Sequence, residues 1–155
     1  MRALLLVTLV LAGCGVFQHG DPYPANPSGT WDADLTVEAA ASGAAAVTVT
    51  EALAHVDGAP QLVRGGLLVD DAYGQVWLCG SIAESEPPAP PRCRGGILRI
   101  QDRESPVGRP MSDYIASVLA TASVQNLHQS GTVRWAEGVT IFGRISAPPA
   151  DDGEG

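Results

Sequence analysis

The chain has 155 residues, a formal charge of −8 and a mean hydropathy of +0.10. Nine arginines, no lysine and seventeen acids leave it without the cationic surface that neutralises phosphate backbones, which argues against nucleic acid and against docking on anionic lipid by charge. That length supports one core of roughly 100 residues with extended ends.

Met1-Arg2-Ala3 precedes an apolar run from Leu4 to Leu11, interrupted only by Thr8, and the run closes on Leu11-Ala12-Gly13-Cys14. One positive charge, a short apolar stretch and small residues at its end make a secretory signal over 1–13, too short to span a bilayer. The closing quartet resembles the lipobox of bacterial lipoproteins. That resemblance implies a Cys14 thiol diacylated with chains such as palmitate, a new N-terminus at Cys14, and attachment to the outer side of the cell membrane or to an outer membrane. The alternative is an ordinary secreted protein whose leader contains a cysteine. Two acyl chains anchor stably where one binds marginally, each buried methylene contributing about 0.8 kcal/mol. No later segment reaches the roughly 20 apolar residues of a spanning helix. Loss of the leader removes Arg2 and leaves eight arginines against seventeen acids, a formal charge of −9.

Residues 14–43 carry Pro22, Pro24, Pro27, Ser28 and Gly29, then a run of small residues from Ala39 to Ala44. They read as a flexible tether with room for a short strand around Leu35 to Val37. From residue 44 the period is mostly two. Val47 to Thr50 alternates, and Glu51 to His55 reads as one helical turn. Gln61 to Val69 is a strand with Gly65-Gly66 as a bulge or coil. Asp70-Asp71-Ala72-Tyr73-Gly74 turns into a second strand, Gln75 to Ile82.

Cys79 ends the run Val76-Trp77-Leu78, and Cys93 precedes the strand Gly95 to Gln101. Between them Glu84-Ser85-Glu86-Pro87-Pro88-Ala89-Pro90-Pro91 resists helix and strand. Two cysteines left over outside the cytoplasm are most simply a disulfide. Closing a loop of this size stabilises the fold by about 3 kcal/mol through the entropy of the unfolded chain. C-x-x-C spacing or an adjacent histidine, the signs of redox or metal use, are missing from both positions.

Met111 to Asn126 is expected to be a helix capped by Ser112 or Asp113, with Tyr114, Ile115, Val118 and Leu119 on one face. Thr132 to Trp135 and Val139 to Ser146 read as two strands joined by a turn at Ala136-Glu137-Gly138. Residues 147–155 read as a disordered acidic tail. The order strand, strand, strand, helix, strand, strand is that of the OB-fold, so the domain over 44–146 is expected to be mainly β: a small five-stranded OB-fold-like barrel with one helix between strands three and four, or else a small β-sandwich. Val63-Arg64-Gly65-Gly66-Leu67, Leu78-Cys79, and Trp135 with Val139, Ile141, Gly143 and Ile145 also resemble elements that recur in small exported bacterial proteins.

Chemistry-bearing patterns are sparse. His19, His55 and His128 have no second ligand at metal spacing. No serine stands in G-x-S-x-G, and Gly95-Gly96 precedes a strand rather than a phosphate-binding helix. Asp70-Asp71 fits turn chemistry, and Glu84 and Glu86 solvate a loop. No catalytic residue, metal site or cofactor is expected. On an OB-fold the second and third strands with their loops form the usual ligand face, which would present Tyr73, Trp77 and Arg99; a core role for Trp77 and Trp135 competes with it. The expected function is a lipid-anchored, non-enzymatic binding or adaptor module for an envelope protein or glycan. The alternatives are a passive structural lipoprotein and a ligand or metal sensor using Asp70, Asp71, Glu84, Glu86 and a histidine.

Overall fold

Alternation of apolar and polar side chains builds a mainly β structure. The computed structural model describes residues 31–39, 43–86, 89–102, 113, 116, 119–120, 124 and 126–150. Its strands are β1 (Ala33–Val37), β2 (Ala46–Thr48), β3 (Pro60–Asp70), β4 (Gln75–Ala83), β5 (Arg92–Asp102), β6 (His128–Ser130) and β7 (Val133–Ser146), with helix α1 (Val49–Leu53) after β2. They form one sheet in the order β2-β3-β4-β5-β1-β7-β6, and β3 also pairs with β7. The pairings β3–β4–β5–β1–β7 therefore return to β3. The β1–β5 pair is parallel and the other pairs around this ring are antiparallel.

One row of directly opposed residues shows how the core forms. Ala33, Leu98, Leu78, Leu67 and Ala136 face one another across five successive strands, and all belong to the main buried cluster. Opposed residues share a face and neighbours in the chain point to opposite faces, so the next row lies on the other side of the sheet. Val49 and Ala52 of α1 are buried in the same main cluster. Thr48 caps this helix: its hydroxyl accepts the Glu51 N–H at 3.2 Å, while the Glu51 carboxylate accepts the Thr48 N–H at 2.7 Å. Each bond satisfies a donor that a helix start leaves unpaired.

Two expectations are corrected. Residues 33–37 fall inside the segment read as tether with room for a short strand around Leu35 to Val37; they form a longer strand, β1, inserted between β5 and β7. Ala33, Leu35 and Val37 alternate with Asp34 and Thr36, which is strand patterning, and Ala33 and Leu35 are fully buried. The turn expected at Ala136-Glu137-Gly138 is a bulge within the single strand β7. Gly65 and Leu67 of β3 stand opposite Val139 and Ala136, so β7 spends one more residue than its partner there. Gly138 adopts φ +69°, a conformation open to glycine in turns and bulges alike. What decides between them is β3, which pairs with β7 on both sides of the bulge. The extra residue also lets Ala136 and Val139, an odd number apart, both enter the core.

The expected helix before β6 is found in part. Asp113, Ala116, Leu119 and Ala120 are helical, and Leu119 packs against the core. Ser112, Tyr114, Ile115 and Val118 lie outside the described residues, as do the signal segment 1–13, Cys14, His19 and residues 151–155. The Cys79–Cys93 disulfide is formed, with Cα atoms 5.3 Å apart.

Candidate functional site

The face turned away from the main core holds the chemistry. Asp34, Arg99, Trp77, Leu68, Trp135 and His128 are successive direct neighbours across β1, β5, β4, β3, β7 and β6. Leu68 and Trp77 belong to a second buried cluster with Cys79, Cys93, Ile97 and Val133, and Trp31, Ile82 and Trp135 pack against it. All three tryptophans of the chain therefore meet on this face. Burial of both sheet faces accounts for the unbroken apolar run Leu67-Leu68-Val69, which an alternating half-buried strand would not carry.

The charged end of the row is tightly organised. Arg99 donates from Nε to Asp34 Oδ1 at 2.8 Å and from Nη2 to Oδ2 at 3.1 Å. A two-point contact of this kind is the strongest geometry available to an arginine and a carboxylate. Asp34 is only 5% exposed. The guanidinium also lies 3.8 Å from the centre of the Trp31 ring, a cation–π contact. Beside Trp31, the Asp32 backbone N–H donates to Ile97 O at 2.9 Å and Ile97 N–H donates to Asp32 Oδ2 at 2.8 Å. At the other end His128 stacks on Trp135 with ring centres 5.5 Å apart and planes 22° from parallel. Among the described residues the buried Nε1 atoms of Trp31 and Trp77 have no hydrogen-bond partner.

The expected ligand face of Tyr73, Trp77 and Arg99 is thus rearranged. Tyr73 is 44% exposed in the turn after β3, Trp77 is fully buried, and Arg99 is engaged by Asp34 and Trp31. Trp77 and Arg99 are direct neighbours, as a shared face requires, but Trp77 offers no open stacking surface. Asp34 and Trp31 escaped the sequence reading because their segment resembled a tether.

The carboxylates named for sensing have other tasks. Asp70 is buried, and its Oδ1 accepts the N–H groups of Ala72 and Tyr73 at 2.9 and 3.4 Å, fixing the turn. Asp71 receives two hydrogen bonds from Arg134, at 2.7 and 2.6 Å. Glu84 and Glu86 are exposed, as is His55. Among the described residues no group of three or more His, Cys, Asp or Glu side chains is placed to hold a metal ion. Among the same residues no helix is long and apolar enough to cross a membrane.

Comparison with protein-family models, curated proteins and solved structures found no match. The functional reading therefore rests on this chain's own residues.

Proposed function

We propose that this protein is a lipid-anchored module of the bacterial cell envelope, without enzymatic activity, that binds another envelope component through the outer face of its sheet. The observation that carries the reading is Leu11-Ala12-Gly13-Cys14 at the end of a short apolar leader, a pattern suited to diacylation and stable attachment. The engagement of Asp70 and Asp71 by the turn backbone and Arg134 weighs against the sensor alternative, because those carboxylates are already coordinated within the fold.

The domain in this reading is an OB-like barrel. β3, β4 and β5 take the first three expected positions, and β7 runs through both segments expected as the fourth and fifth strands, with helical residues between β5 and β7. β1, from outside the expected domain, is the fifth strand in this reading, and its pairing with β5 and β7 supports closure. The face around Trp77 and Arg99 is then the outer surface of the second and third barrel strands, where such folds take ligands.

The test is in-cell crosslinking followed by mass spectrometry of the membrane fraction, with the Cys14 peptide read in the same run. A diacylated Cys14 and a reproducible bound component that is lost in Cys14→Ala support the reading. An unmodified N-terminal peptide from a soluble fraction, or nothing bound above an unrelated anchored domain, overturns it.

A further inference from the structure

We propose that Trp31 is a displaceable lid over a binding site floored by Trp77, and that the site's occupant is a neutral saccharide ring. This rests on the binding-module reading and names its ligand class and its gate. The floor is Trp77, fully buried among Leu68, Cys79, Cys93 and Ile97, flanked across the strands by Arg99 and Leu68, with Trp135 one strand further. Its Nε1 is buried without a hydrogen-bond partner among the described residues. Native interiors rarely leave such a donor unpaired, and each instance calls for an explanation.

The lid comes from outside the ring of strands. Trp31 precedes β1, packs against the cluster that holds Trp77, and is held by the Arg99 guanidinium stacked on its ring. Its own Nε1 is likewise buried without a partner among the described residues. Among the described residues, the arrangement thus buries the Nε1 atoms of both indoles and pairs neither. A sugar ring presents C–H groups to an indole face and hydroxyl oxygens that accept from indole N–H. Charge narrows the class further. Asp34 already neutralises Arg99 through two hydrogen bonds, and the chain as a whole carries −8, so an anionic sugar meets repulsion without a compensating cation.

Isothermal titration of the full chain with cellohexaose and chitohexaose tests this. The wild type is expected to bind weakly, because part of the binding energy goes into displacing the lid. Trp31→Ala is expected to bind about tenfold more tightly. Adding Trp77→Phe, which keeps a ring and removes the donor, is expected to reverse that gain by about tenfold. Should the alanine variant lose its cooperative melting transition, Trp31→Leu retains apolar cover at the position and is expected to tighten binding in the same direction. A folded Trp31 variant that binds neither hexasaccharide, or binds with wild-type affinity, overturns the proposal. A crosslinked envelope protein together with silent titrations overturns the saccharide site and leaves the binding-module reading standing. Silence in both overturns both.

Discussion

Asp34 and Arg99 show how one residue pair ties an N-terminal segment to the body of the protein. Asp34 sits on β1 and Arg99 on β5, and their two hydrogen bonds add side-chain contact to the backbone ladder. Asp34 is nearly buried, while the Arg99 side chain keeps 27% exposure, so solvent screens the pair only in part. Asp34→Ala is expected to cost about 2 kcal/mol, the range for a hydrogen bond to a charged group discounted for that exposure. Urea unfolding checks it: the midpoint should fall with an unchanged slope. Asp34 is the polar member of an alternating run from Ala33 to Val37, a signal that the proline and small residues on either side masked. Its partner was not legible, because pairing between residues 65 apart in sequence leaves no local trace.

At the scale of elements, two devices are open to test. The Thr48 backbone N–H, and then the Thr48 hydroxyl, hold the Glu51 carboxyl below its ordinary value of 4.5. A carboxyl whose folded-state pKa is depressed contributes stability that is complete above the unfolded value and fades as pH falls toward the folded one. The melting-temperature deficit of Glu51→Gln should therefore be constant near neutrality and shrink on acidification below about pH 4.5. A deficit that grows on acidification would contradict the capping account. The disulfide joins β4 to β5 on the second face, with both cysteines buried. Cys79→Ala/Cys93→Ala should lose about 3 kcal/mol, which for a domain near 100 residues lowers the melting temperature by roughly 10–20 °C. Calorimetry of the oxidised parent and the double variant measures that difference directly.

Much at this scale was readable in advance. β3, β4 and β5, the helical turn expected over Glu51 to His55 and the cysteine pair follow from period-two patterning, turn residues and the oxidising destination that the leader leads one to expect. The bulge in β7 was not. Ala136-Glu137-Gly138 carries the same glycine at positive φ that a hairpin turn needs, and only the length of β3 selects the continuous strand. Glu137 confirms the bulge by using it: its carboxylate accepts the Ile82 N–H of β4 at 2.6 Å, reaching past β3.

The whole molecule is organised around where β1 sits. β1 completes the ring of pairings, and Trp31, two residues before it, packs on the second face of the sheet. Of the candidate site, the sequence showed the strand-borne half, Trp77 and Arg99. It hid Trp31 and Asp34 in a segment rich in proline and small residues, and it hid the burial of Trp77, which depends on side chains arriving from other strands. The ring leaves β1 no substitute. Without it, β5 and β7 each lose a hydrogen-bonded neighbour, and Leu35 leaves a gap between Ile100 and Ile145, its direct neighbours on the two strands.

The most direct test compares thermal unfolding of two shortened chains, one starting at Thr30 and one at Glu38, both with the disulfide intact. The first keeps Trp31 and β1 and should melt in a single cooperative transition close to that of the longer chain. The second should lose that transition, or melt tens of degrees lower. If the chain starting at Glu38 unfolds cooperatively at the same temperature, β1 is an appendage rather than part of the fold, and the coupling of the N-terminal segment to the second face of the sheet is contradicted.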